Sequence, residues 1–138
     1  GRLGCKTSYP IKSIENNLSK LTVDKITSKC IKDLMLHDIV FDMHLVPTLQ
    51  VNYEREYYET YDGIRITIDQ DIQFFDTQLH TTLDENNPFP YPFKVMEIKF
   101  KPSMKETVAE LIRPLHITPK RHSKYLIGLA VLGYAVYI

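Results

Sequence analysis

"LQVNYEREYYETYDGIRITIDQDIQFF" occupies residues 49–75 and reads as two β-strands joined by a turn. Its first half is rich in Tyr and Val, and its second alternates Ile with polar residues, both marks of a half-buried strand. Tyr61-Asp62-Gly63 between them is a hairpin signal. Loop length sets which side chains share a face, because a one-residue slip carries every side chain across the sheet. With a two-residue loop, Arg55 opposes Gln70 and lies with the isoleucines, away from Arg65. With a three-residue loop and Gly63 in the left-handed conformation of a bulge, Arg55 opposes Asp69, and both arginines lie on one polar face. These arginines stand out, since residues 33–93 hold twelve acidic residues and no other basic one.

Outward from the hairpin the period changes. Upstream, Ile11, Ile14, Leu18 and Leu21 follow helical spacing after Pro10, and Ile26, Cys30, Ile31 and Leu34 predict a second helix with Asp24 as its cap. Their lysines (Lys12, Lys20, Lys25, Lys29, Lys32) read as a solvated face. Downstream, "DTQLHTTLDENNPFPYP" (76–92) is an acidic, Pro-rich surface loop, and "KVMEIKF" (94–100) is a third strand. In "PSMKETVAELIRPL" (102–115), Ser103 and Glu106 fit a capping box, Met104, Val108, Leu111 and Ile112 form an apolar face, and Pro114 stops the helix. A basic turn then leads into the apolar tail "YLIGLAVLGYAVYI" (125–138). The order predicts an α+β domain whose antiparallel sheet is flanked by helices. One domain over 1–138 is expected, with a helical segment at 1–45 and the strands and later helices at 46–138.

Charge is segregated within a neutral total: residues 1–32 and 94–138 are net positive and residues 33–93 strongly negative. The zero net charge gives no support to bulk attraction toward nucleic acid or anionic membrane. The tail is too short for a bilayer span, for which about 20 residues are needed, and reads as a buried helix or strand. No secretory signal is visible and two cysteines, Cys5 and Cys30, form no framework, so a reducing, cytoplasmic setting is expected.

Strand alternation puts Ile64, Ile66 and Ile68 on one face and Arg65, Thr67 and Asp69 on the other. Met96, Ile98 and Phe100 similarly oppose Glu97 and Lys99. A sheet face bearing Arg, Thr, Asp, Glu and Lys is either a solvated exterior or the polar interior of a curved sheet around a charged ligand. Tyr53, Tyr57, Tyr58, Phe74 and Phe75 read as core. The five histidines form no metal-ligand pair and read as surface or turn residues, with His122 the one exception, two residues from Lys124.

"VNYEREYYETYDGIRITIDQDI", then "VMEIKF", a helix, and "HSKY" before an apolar tail resemble the VTC domain, the polyphosphate polymerase domain of the vacuolar transporter chaperone family, over roughly residues 49–130. That family belongs to the triphosphate tunnel (CYTH-like) superfamily. The resemblance implies an antiparallel barrel forming a cationic tunnel, of which this sheet is part. It implies polyphosphate or nucleoside triphosphate as ligand and Mn²⁺ or Mg²⁺ as cofactor. It makes Arg55, Arg65, Lys99, Arg121, Ser123 and Lys124 phosphate-binding residues and Glu97 the metal carboxylate. The early Glu-x-Lys strand of the superfamily has no match before Leu45, so the chain resembles the C-terminal part of the domain. A preceding segment or a second chain would complete the tunnel. Metal-dependent polyphosphate synthesis from a nucleoside triphosphate is the expected function. The alternatives are a non-catalytic polyphosphate-binding or structural half-domain, and a CYTH-type triphosphatase.

Overall fold

In the computed structural model, residues 18–37, 46–77, 81–82 and 87–136 are described. The chain falls into two compact units, residues 1–50 with 76–87 and residues 51–75 with 88–138.

In the first unit a single 3₁₀ turn, Leu18–Lys20, precedes helix α1, Val23–Met35. The earlier part of the first expected helix lies outside the described residues. Thr22, not Asp24, is the N-cap of α1; its hydroxyl donates to Asp24, which sits in the first turn where a carboxylate complements the helix dipole. Buried Val23 anchors the helix, and its N–H donates to Thr81 O at 2.9 Å.

The second unit is built on β1 (Leu49–Glu59) and β2 (Arg65–Asp76), except for Leu49, Gln50 and Asp76, which are counted with the first unit. Thr60 N–H donates to Ile64 O at 2.9 Å and Gly63 N–H to Thr60 O at 3.0 Å, closing a loop of three residues. Gly63 has φ +88°, the left-handed conformation a side chain would resist. This is the longer-loop register, and it sets Arg55 opposite Asp69.

β2 is the central strand. β1 takes one of its edges, so the strands on the other edge lie end to end: β3 (Phe89–Pro90) opposite Gln73–Phe74, and β4 (Val95–Lys99) opposite Arg65–Asp69, all antiparallel. The expected surface loop therefore contains a short strand. Pro90 is tolerated there because an edge position does not require its missing N–H. Continuing the β4 register would bring Gln73 opposite Tyr91, but Pro90 is its partner. The ladders thus differ by one residue, and Asp71, at φ +50°, lies between them. Ile64, Ile72, Phe74, Phe75 and Val108 form the buried core of this unit. Tyr53, Tyr57 and Tyr58 are exposed and do not join it, like every residue of β1 from Asn52 onward.

Helix α2 runs over Lys105–Ile112. Ser103 does not cap it: Pro102–Met104 form a 3₁₀ turn, and no side chain caps either element. Pro114 acts as expected, since the α-helix gives way at Arg113 to a tightened turn, Arg113–Leu115. Helix α3, Lys124–Val131, begins the apolar tail but is not buried; Tyr125, Leu126 and Val131 are exposed and only Gly128 is enclosed. No helix among the described residues is long and apolar enough to cross a membrane. The sheet is open: no strand among the described residues closes it into a barrel.

Candidate phosphate-binding face

The register assembles one polar face across three strands. Arg65 stands opposite Lys99, Thr67 opposite Glu97, and Asp69 opposite Val95 on β4, while Arg55 meets Asp69 from β1. Four residues singled out in the sequence, Arg55, Arg65, Lys99 and Glu97, thereby share a face. Lys124, 55 residues beyond Asp69, joins them from the first turn of α3.

Asp69 is the centre of this arrangement. Its side chain is 0% exposed. Oδ1 accepts from Arg55 Nε at 2.6 Å and Oδ2 from Arg55 Nη2 at 2.8 Å, a bidentate fork. Lys124 Nζ forms a second ion pair with Oδ2. The two cations keep the Asp69 carboxyl below the usual carboxylate range despite burial, with the Arg55 hydrogen bonds the largest cause. Asp69 in turn raises the Arg55 pKa, so that guanidinium is charged at every accessible pH. Because Nε and Nη2 are committed to Asp69, Arg55 keeps its Nη1 edge for another acceptor, and the side chain is 38% exposed. The ring of Tyr53 lies 5.1 Å from both the Arg55 guanidinium carbon and Lys124 Nζ, holding both cations against an aromatic surface.

Toward the hairpin, Tyr57 donates to Glu59 at 2.7 Å. Glu97 pairs with Lys99 on its own strand at 3.3 Å, an exposed contact of small energetic weight. Thr67, directly across from Glu97, has a buried hydroxyl oxygen with no hydrogen-bond partner. Among the described residues no three His, Cys, Asp or Glu side chains cluster as a metal site. Exposed Glu97 and the orphaned Thr67 hydroxyl across from it are oxygen donors that would suit Mn²⁺ or Mg²⁺ only with further ligands from outside the protein. They do not fit an ion caged by protein alone.

Ser123 is spent locally: it is the N-cap of α3, its hydroxyl accepting from Leu126 N–H at 3.3 Å. That bond starts the helix where Lys124 is needed. Arg121 lies two residues earlier, exposed. His122 sits edge-on to Tyr91 (centroids 5.9 Å apart), whose ring also meets Phe74 and Phe93. Burial first and Lys124 second lower the His122 pKa, favouring neutral imidazole beside the cations. Sequence reasoning paired Asp69 with Arg55 but missed its bond to Lys124 and the part played by Tyr53; the shared strand parity of Tyr53, Arg55 and Asp69 was the available signal.

A sequence profile of the VTC domain family matches residues 2–133. The match takes in the segment before Leu45, where no family strand motif was legible. No curated protein and no solved structure matches the chain at a significant level.

Proposed function

The chain belongs to the VTC domain family, and from that premise we propose that the polar face binds the phosphate chain of polyphosphate or of a nucleoside triphosphate, in support of metal-dependent polyphosphate synthesis. The observation that carries this reading is the gathering of Arg55, Arg65, Lys99 and Lys124 around one face, with buried Asp69 holding two of them in place. A phosphate chain presents a row of anionic oxygens, and a row of cations on rigid strands engages several at once. Arg55 and Arg65 offer planar forks, and Lys99 and Lys124 supply point charges.

Phosphoryl transfer asks little covalent chemistry of a protein; alignment and charge neutralisation dominate. In this reading Arg55 and Lys124 grip one part of the chain, while Arg65 and Lys99 hold another near Glu97. Glu97, with the Thr67 hydroxyl opposite, is the place for Mn²⁺ or Mg²⁺. When bound, such an ion neutralises charge across phosphate oxygens. Arg121 belongs to the same basic approach to α3. The open sheet favours a second reading, a polyphosphate-binding half whose catalytic complement lies on another segment or chain.

Calorimetric titration with inorganic tripolyphosphate and with orthophosphate tests the proposal. Tripolyphosphate binds more tightly, and its affinity falls as salt is added. Equal affinities, or no salt effect, refute it.

A further inference from the structure

The two edges of the sheet are unlike. On one, β3 is two residues long and contains Pro90, and β4 is five residues long. Short strands and proline are ordinary means by which a sheet edge avoids pairing with another chain. On the other edge, β1 runs for eleven residues without Pro, Gly or Lys. No strand among the described residues pairs with its outer side, and every residue from Asn52 to Glu59 is exposed.

The hairpin fixes which backbone groups line that edge. Thr60 N–H bonds Ile64 O across the ladder, and in an antiparallel pair such bonds recur at every second residue. Even-numbered residues of β1 therefore turn N–H and C=O toward β2. Tyr53, Arg55, Tyr57 and Glu59 turn theirs outward, a row of donors and acceptors spaced to receive one more antiparallel strand.

Charge selects the strand. Arg55 is the single cation between Leu49 and Gly63, among the acids Glu54, Glu56, Glu59 and Asp62. When two copies of β1 pair about a two-fold axis, an outward-turned residue meets an outward-turned one, so odd numbers meet odd numbers. Glu59 is the only acid of that parity, and one register alone brings it across from Arg55. That register is centred on Tyr57. It sets Arg55 against Glu59 twice, Tyr57 against Tyr57, Tyr53 against Tyr61, Glu56 against Tyr58 and Glu54 against Thr60, with no like charges opposed. Centring on Arg55 or Glu56 would set that residue against itself, and centring on Tyr58 would set Glu54 against Asp62. From this open edge and its self-complementary pattern we propose that the chain forms a two-fold dimer, β1 pairing with β1 of a second copy in the register centred on Tyr57. The axis is normal to the sheet, so the polar faces of the two copies lie side by side.

Sedimentation equilibrium tests the dimer, and oxidative cross-linking tests its register. Wild type dimerises with rising concentration. Tyr57→Lys opposes two ammonium groups at the axis and weakens the dimer by about tenfold or more. Should that variant fail to fold, Glu59→Lys gives the same reading by opposing a second cation to Arg55. For the register, single cysteines are introduced into a chain whose Cys5 and Cys30 are replaced by Ser. Tyr57→Cys places two thiols across the axis with Cα atoms about 5.5 Å apart, within disulfide reach, and forms a covalent dimer. In Glu59→Cys the two thiols are offset by about 13 Å along the strands and do not join. Wild type that stays monomeric at every concentration overturns the proposal and leaves the edge to a strand of different sequence. A dimer that both lysine variants leave intact overturns it too, as does growth into open-ended oligomers. So does the absence of a Tyr57→Cys cross-link, or equal cross-linking at the two positions.

Discussion

Asp69 is the residue on which the polar face turns. A buried carboxylate is costly unless paired, and here two cations pair with it, Arg55 through a fork and Lys124 through one ion pair. Removing one partner of such a cluster typically costs about 3–5 kcal/mol, and because Arg55 is 38% exposed the loss from Asp69→Ala should be nearer about 2–3 kcal/mol. A urea unfolding curve measures it. The pH dependence has a definite sign. The folded-state pKa of Asp69 is depressed below the ordinary 3.8, so its contribution is present above that value and is lost as pH falls through the lower folded-state value. Wild-type stability should therefore drop more steeply below about pH 4 than that of Asp69→Asn. Parallel acid limbs would show that the carboxylate charge is not what the cations hold. The Arg55–Asp69 half of this cluster was legible in the sequence, because strand parity and loop length suffice to pair them. The Lys124 half was not, since nothing local tells where a helix 55 residues downstream begins against the sheet.

Among the elements, the hairpin was the most readable and the connection after it the least. Gly63 provides a positive φ at the third loop position, and that alone fixes which residues face one another. A Cβ added there would meet nothing within 4 Å, so Gly63→Ala tests backbone conformation without steric interference. It should cost about 1–2 kcal/mol, the ordinary penalty for a side chain in the left-handed region. Gly63→Asn should cost less, because Asn tolerates that region. Thermal unfolding of the two variants checks the order. β3 was hidden because Phe89–Pro90 has neither the length nor the alternation of a strand; it forms because Gln73 and Phe74 offer an edge left open by the shorter β4. The capping box at Ser103 failed for a related reason, since Pro102 favours a tight 3₁₀ turn and shifts the start of α2 to Lys105. The exposed tyrosines of β1 were misread as core because strand composition reports pleated backbone, not what covers it.

At the scale of the whole molecule, a neutral chain brings two arginines of its most acidic segment onto one face with two lysines of its basic C-terminal segment, and Glu97 lies on that face outside the Asp69 cluster. Two roles for Glu97 predict different behaviour. As the anchor of a divalent ion shared with phosphate, its charge is needed for turnover and opposes the binding of the anion alone. As the partner of Lys99 it is an exposed ion pair, worth roughly 0–1 kcal/mol of stability and nothing more. Glu97→Gln therefore separates them: in the metal role it nearly abolishes phosphoryl transfer, shifts Mn²⁺ dependence to higher concentration, and preserves or tightens polyphosphate binding measured without metal. Arg65→Ala should act otherwise, weakening binding and turnover together, by about 1.5–3 kcal/mol for a charge-assisted hydrogen bond to phosphate. Turnover is measured against Mn²⁺ concentration, with binding measured in parallel. Unchanged metal dependence in Glu97→Gln removes Glu97 from the metal site. Tripolyphosphate binding that Arg65→Ala leaves intact removes the hairpin end of the polar face from the phosphate path, and confines the grip to Arg55 and Lys124 around Asp69.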